Sequence, residues 1–306
     1  MKKYLIVILL LILLITALFF TGCDFFNKDS DNDISDETND IVEDPEPTPF
    51  PLIIGDVIIA ESPKRVVSLS PSLTEIIFEL GYGNRIVGKS NFCDYPPSVL
   101  SIAEAGSGAN PDIDRIISLT PDLLVTATPL SARDMFRMEQ ENIAILTVPA
   151  STNLTLLGDT YRLLGLVFGG LFTGAEAGEE AFSVIARVCN NTAVIDIGRF
   201  IYVTSGLKAA TGDTLEDSVF SCFGENIAKS YTDYDFDFSV LLDNQPDIIL
   251  LSDRYSAEDL TVSEDFKELE AVEAGRIIYI DNTFFERPSA RLVKIIEGML
   301  DDFKYV

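Results

Sequence analysis

Between residues 151 and 191, apolar or small side chains recur at Leu154, Leu157, Tyr161, Leu164, Phe168, Leu171, Ala175, Gly178, Phe182, Ile185 and Cys189. The gaps alternate between three and four, which places all of them on one face of an α-helix. Thr152 and Asn153 can cap its start, and Asn190-Asn191 can close its end. At roughly 1.5 Å per residue, about 39 residues would form a rod near ~58 Å. Gly165, Gly169, Gly170, Gly174 and Gly178 argue against a perfect rod, since each interior Gly costs about 1 kcal/mol relative to Ala. The pattern therefore reads as one long helix, kinked near Gly169-Gly170, or as two helices with a turn between them. Either way it separates two lobes.

The flanking segments share one grammar. In 52–150, Arg65–Leu69 reads as a buried strand that turns at Ser70-Pro71 into a helix from Ser72 to about Leu80. Ser72 and Glu75 stand at capping-box spacing, and Gly81 follows. A strand at Ile86–Gly88, a loop at Asn91–Pro97, and a helix from Asn110-Pro111 through Ser118 come next. Strand Asp122–Thr126, a Ser131-capped helix to about Asn142, and strand Ile143–Val148 complete the lobe. In 192–306, strand Arg199–Thr204 leads to a helix from Thr214 to Cys222, and Gln245-Pro246-Asp247-Ile248-Ile249-Leu250 echoes Thr120-Pro121-Asp122-Leu123-Leu124-Val125. Gly224-Glu225-Asn226 echoes Gly83-Asn84, and a last helix runs from Pro288 to about Phe303. The class is α/β: two Rossmann-like lobes with parallel sheets, joined by the backbone helix, with a ligand cleft between them. Ser70–Ser72, Phe92–Tyr95, Ser205–Gly206 and Asn282–Arg287 all follow strands, so their loops should line that cleft.

Residues 1–22 carry Lys2-Lys3 and then an apolar run, the pattern of a secretory signal. Phe20-Thr21-Gly22-Cys23 resembles a bacterial lipobox, which implies cleavage before Cys23 and a lipid anchor on its sulfur. An uncleaved membrane anchor is the alternative. Residues 23–51 then read as an acidic, disordered tether ending in Pro-rich sequence. The chain's formal charge of −27 leaves −20 on the folded part, which excludes binding nucleic acid through its phosphates. There is no histidine, which removes His-based nucleophile systems and the commonest transition-metal ligand. Beyond Cys23, the cysteines Cys93, Cys189 and Cys222 show no metal-site spacing, and whether Cys189 pairs with Cys222 stays open.

Pro63-Lys64-Arg65-Val66-Val67-Ser68-Leu69-Ser70-Pro71-Ser72-Leu73-Thr74-Glu75 resembles the opening of the helical-backbone substrate-binding proteins of ABC importers. Cys93-Asp94-Tyr95-Pro96-Pro97, the run from Asp114 to Val125, and Phe285-Glu286-Arg287-Pro288-Ser289-Ala290-Arg291 resemble later blocks of the same family, closest to its vitamin B12 type. The resemblance implies no enzymatic activity and no resident cofactor. It implies a small-molecule chelate as ligand (a corrinoid, or alternatively haem or a ferric siderophore), an ABC permease as partner, and a lipid-anchored monomer on the outer face of the cell membrane. Phe92, Tyr95, Phe284, Arg287, Ser70 and Tyr231 are the expected ligand-binding residues, with Tyr234 a weaker candidate. Phe92 and Tyr95 should face Phe284 across the ligand. Asp114 is the expected permease contact in the first lobe. Its second-lobe counterpart falls at Ser239, which makes the nearby Asp237 the candidate there. The chain has no Trp, a residue that B12-type members often place around the ligand. The residues also leave open an extracytoplasmic enzyme, with Asp233 and Asp235 as its carboxylate pair, and a structural surface lipoprotein.

Overall fold

The computed structural model describes residues 49–191, 196–294 and 298, without the side chains of 188–191. All of these belong to one compact unit, Pro47–Val306. The expected signal, Cys23, most of the tether, the Cys189 side chain and the end of the last helix lie outside the described residues.

The first lobe opens with a hairpin that the hydrophobic pattern did not reveal, β1 (Leu52–Ile54) and β2 (Val57–Ile59). Gly55 supplies its turn at φ 58°, a conformation costly for any residue with a Cβ. Five parallel strands then form a sheet in the order β5-β4-β3-β6-β7. They are β3 (Val66–Ser68), β4 (Ile86–Lys89), β5 (Ala103–Glu104), β6 (Leu123–Thr126) and β7 (Ala144–Thr147). The second lobe repeats the arrangement as β10-β8-β11-β12, also parallel, with β9 added antiparallel to β8. Its strands are β8 (Arg199–Thr204), β9 (Lys208–Ala209), β10 (Glu225–Asn226), β11 (Ile248–Ser252) and β12 (Ile277–Ile280). The faint internal repeat is thus a repeat of topology. Glu225-Asn226, the sequence counterpart of Gly83-Asn84, forms an edge strand by pairing with β8, whereas Gly83-Asn84 lies in a short 3-10 helix before β4.

Helix starts in the first lobe differ by no more than two residues from the expected ones, and the last helix starts four residues late. Helix α1 (Pro71–Glu79) is capped by Ser70, with Pro71 in its first turn. Ser72 and Glu75 form no capping box; both side chains reach the other end of the chain instead. Helix α2 (Ile113–Ser118) starts after Asp112, whose carboxylate accepts the Arg115 amide and so takes over the capping expected near Asn110-Pro111. Helix α3 (Ala132–Gln140) is capped by Ser131 as expected. Among the described residues of the last helix, Leu292–Lys294 and Gly298 are helical, while 288–291 are not.

The linking segment α4 (Leu154–Asn191) is helical over 38 residues but breaks at Gly170, at φ 79° and ψ −176°. The break is a reversal rather than a bend, so the long rod does not form and the two-helix arrangement is the one present. The arms 154–169 and 171–191 lie antiparallel with glycines at their interface. A Cβ on Gly174 would fall 2.8 Å from the Leu166 Cα, and one on Gly165 would run into the Gly174 carbonyl. Such glycines weaken each arm alone, yet they let the two backbones touch. Tyr161 and Phe182 close the pair farther along, with ring centroids 5.8 Å apart.

The apolar stripe of α4 faces a core common to both sheets. Leu157, Tyr161, Leu164, Phe168 and Ile185 pack with Val66, Ile76 and Val125 of one lobe and Phe200, Tyr202, Phe220 and Leu250 of the other. Strand alternation sends Val67 and Leu124, or Ile201 and Ile249, to the opposite faces. Both lobes therefore rest on one hairpin through continuous packing.

Candidate functional site

The carboxyl ends of β3 and β4 carry the first-lobe loops. Ser70 is 7% exposed and turns inward, where its Oγ caps α1 and its carbonyl accepts the Thr74 hydroxyl at 2.8 Å. Cys93 anchors the next loop from below, its Sγ 3.3 Å from the Thr74 Oγ1; burial pushes the thiol pKa up. Phe92, one residue earlier, is 63% exposed and borders an open pocket of about 680 Å³ with Asn91, Glu104, Ser107 and Asn110. That surface is available to a ligand.

Tyr95 and Phe284, expected to face one another across a ligand, are brought together by the protein itself. The guanidinium carbon of Arg291 lies 4.7 Å from the Tyr95 ring centroid and 5.4 Å from that of Phe284. Arg291 also makes a two-point ion pair with Glu75 of α1, which is 2% exposed. Ser289 donates to the same carboxylate at 2.7 Å, Ser72 donates to the Pro288 carbonyl at 2.6 Å, and the Ala290 amide donates to Glu79. Glu79 also receives the Tyr161 hydroxyl from α4. Burial raises the pKa of both Glu75 and Glu79. Residues 287–291 thus cross from the second lobe and dock on α1. Arg287 extends the seam through an ion pair with Asp94, Nη1 to Oδ1 at 2.6 Å. A pocket of about 370 Å³ lies along this seam, bordered by Tyr95, Phe78, Glu79 and Lys294.

In the second lobe the strand ends hold a pocket of about 290 Å³ lined by Lys208, Glu216, Tyr234, Asn282, Phe285 and Glu286. Glu216 belongs to α5 (Leu215–Phe220), which Thr214 caps. Burial pushes its carboxyl pKa up, and the Tyr234 hydroxyl reaches it at 3.4 and 3.5 Å. Tyr231 stands elsewhere, edge-on to Phe236 at 4.8 Å between centroids, against the outer-face core. Glu216 and Lys208 carry no motif that the sequence reading could have found; the fold alone makes them neighbours.

Of the two docking candidates, Asp114 is 85% exposed and pairs with Arg137 at 2.5 Å. It sits in the first turn of α2, directly after the loop that follows β5. Asp237 accepts the Ser239 amide and hydroxyl, which hold its carboxyl below the usual range. Among the described residues, no group of His, Cys, Asp and Glu is arranged to hold a metal ion, and no helix is long and apolar enough to cross a membrane.

Comparison with known proteins follows the same outline. The family model described as periplasmic binding protein matches residues 66–283, which run from β3 past β12. The chain belongs to that family. It is 26% identical to the vitamin B12-binding protein of Vibrio campbellii, over 84% of this chain and 96% of that one. It is 24% identical to an uncharacterized ABC transporter substrate-binding lipoprotein, YvrC, of Bacillus subtilis, over 82% of this chain and 85% of that one. Among solved structures, the periplasmic vitamin B12 binding protein BtuF of Vibrio cholerae matches with TM-score 0.60 and 23% identity, covering 77% of this chain and 94% of that one. The periplasmic heme binding protein HutB of the same species matches with TM-score 0.66 and 17% identity, covering 79% and 99%. Two lobes with parallel sheets are therefore the fold of the family, whose members bind solutes for importers and are not enzymes.

Proposed function

We propose that this protein captures a corrinoid outside the cytoplasmic membrane and hands it to the permease of an ABC importer. The observation that carries the reading is the match to vitamin B12-binding relatives over nearly their whole length. Two features of the site agree with it. Phe92 offers an uncommitted aromatic face to a flat ligand, and the strand ends of the second lobe hold a pocket that Lys208 and Glu216 line. The ligand lies between these surfaces, and Arg287 serves it by exchanging Asp94 for a polar group on the ligand rim. Tyr95 and Phe284 act through Arg291. Cys23 carries the lipid that keeps the protein at the membrane, Asp114 and Asp237 meet the permease, and the protein works as a monomer without a resident cofactor.

Native mass spectrometry with cyanocobalamin, haemin and ferric siderophores tests the reading. A one-to-one complex with cyanocobalamin that survives competition by the others is the expected result. Retention of haemin or a siderophore in its place would assign the protein to that chelate instead.

A further inference from the structure

The second-lobe pocket is not uniformly polar; most of its hydrogen-bonding groups are already engaged. The Asn282 Oδ1 accepts the hydroxyls of Tyr202 at 2.7 Å and Thr204 at 3.2 Å, while its Nδ2 donates to Glu286 at 3.2 Å. Glu286 is further neutralised by Arg254. Two charged groups remain. Glu216 is 6% exposed, and its bond from Tyr234, at 3.4 Å, is long for a hydroxyl meeting a carboxylate, which normally approaches to about 2.5–2.7 Å. Its own backbone amide and the Thr214 hydroxyl also bond to it, which leaves about one of a carboxylate's roughly four acceptor sites open. Lys208 is exposed at the rim and has no ion pair among the described residues.

One acceptor and one donor on the same small pocket select a partner group. A carboxylate from the ligand would satisfy Lys208 but bring a second negative charge against the buried Glu216. An ammonium would satisfy Glu216 and meet Lys208. A methyl group would cover Glu216 and leave it short of hydrogen bonds, a costly outcome. A primary amide satisfies both. We propose that this pocket is a carboxamide subsite, in which Glu216 accepts from the NH2 of an amide arm on the ligand and Lys208 donates to its carbonyl oxygen. The assignment rests on the corrinoid reading, since cobalamins carry primary amides on their rim and haem carries carboxylates there. Phe285 supplies an apolar wall for the arm that bears the amide.

The test is titration calorimetry with cyanocobalamin and with the separated monocarboxylates made by hydrolysing its propionamide arms one at a time. At least one monocarboxylate should bind the native protein roughly tenfold or more weakly, the loss typical when a buried charged acceptor faces the wrong group. In Glu216→Gln that penalty should fall to within about threefold, because the neutral amide no longer repels a carboxylate. Lys208→Glu, an exposed change that leaves the fold intact, should weaken cyanocobalamin itself roughly fivefold or more, whereas Lys267→Glu, also on the surface, should not. Equal affinity for all amide and carboxylate forms would overturn the subsite, as would a penalty unchanged in Glu216→Gln. Failure of the native protein to bind cyanocobalamin at all would instead overturn the corrinoid reading.

Discussion

Glu75, in the helix that opens the first lobe, receives two hydrogen bonds from Arg291, which follows the last strand of the second, at 2.8 and 2.5 Å. Both groups are largely removed from water, at 2% and 14% side-chain exposure. A pair of this kind contributes little net stability when intact, but breaking it strands a charge. Arg291→Met should therefore destabilise the protein by about 3–5 kcal/mol near neutral pH. Burial already raises the Glu75 pKa, and Arg291 opposes that rise, so losing the arginine raises it further. The folded state of the variant then holds its proton more tightly than the unfolded state, and its deficit should shrink on acidification toward the ordinary carboxylate range. Urea unfolding at pH 5 and pH 8 measures this; a loss below about 1 kcal/mol at both would show that the seam is not held here.

Phe92 is free of the packing that occupies Tyr95 and Phe284. Phe92→Ala should leave the melting temperature of the empty protein unchanged while weakening cyanocobalamin binding by about 1–3 kcal/mol, roughly 5-fold to 150-fold. Tyr95→Ala and Phe284→Ala should do the reverse, lowering the melting temperature through lost contact with Arg291, at about 0.5–2 kcal/mol each. Scanning calorimetry with and without ligand separates the two behaviours. An unaltered affinity in Phe92→Ala would remove that residue from the site.

Much of this architecture was legible because it follows from short-range pattern. Val66–Ser68, Leu123–Thr126 and Ile248–Ser252 are mainly apolar runs that each begin within three residues of a Pro, and Ser131 and Thr214 announce helices by their caps. What pattern could not supply was partner choice. Ser72 and Glu75 have the spacing of a local capping box, yet each bonds to a residue more than two hundred positions away. The stripe in α4 marked the buried face, save for Leu171, which is exposed just after the reversal, but not whether its arms are collinear, since a straight helix and a folded pair carry the same periodicity. Tyr95 lies on a loop of one lobe, but Phe284 sits in a short helix, Thr283–Glu286, of the other, and the step to a ligand between them overlooked Arg291, which is long enough to fill that space.

The reversal of α4 gives a direct check on that last distinction. In an exposed helix, Gly165→Ala would stabilise by about 1 kcal/mol through propensity alone. Here the added methyl meets the backbone of the facing arm, where no side chain can yield. Forcing the arms apart should cost about 1–3 kcal/mol, as overpacking generally does, and Gly174→Ala should behave alike. Gly298→Ala, whose Cβ would meet nothing within 4 Å, is the control. Stabilisation by Gly165→Ala would mean that the arms do not touch.

Asp114 tests docking separately from capture. Its pair with Arg137 is largely exposed and so is worth less than about 1 kcal/mol. Asp114→Arg should abolish corrinoid uptake by cells while ligand affinity of the purified protein stays within roughly threefold. Binding assays beside a radiolabelled uptake assay read both quantities. Uptake at the native rate would exclude this carboxylate from the permease contact.

Glu216 allows a test of pH dependence with the sign fixed in advance. Burial raises its folded pKa above the ordinary 4.5, so the folded chain binds this proton more tightly than the unfolded chain. Between the two values stability must fall as pH rises, and above both the cost of the buried charge is constant. Glu216→Gln carries no charge at any pH, and its side-chain oxygen can still accept from Tyr234. Every other titrating group is common to the two proteins, so the difference in melting temperature between them isolates this carboxyl. At pH 4 that difference should be near zero. At pH 8 the variant should melt higher by about 2–4 °C, corresponding to roughly 1 kcal/mol in a chain of this size. A gap that is the same at both pH values would mean that the Glu216 charge is not buried in the empty protein.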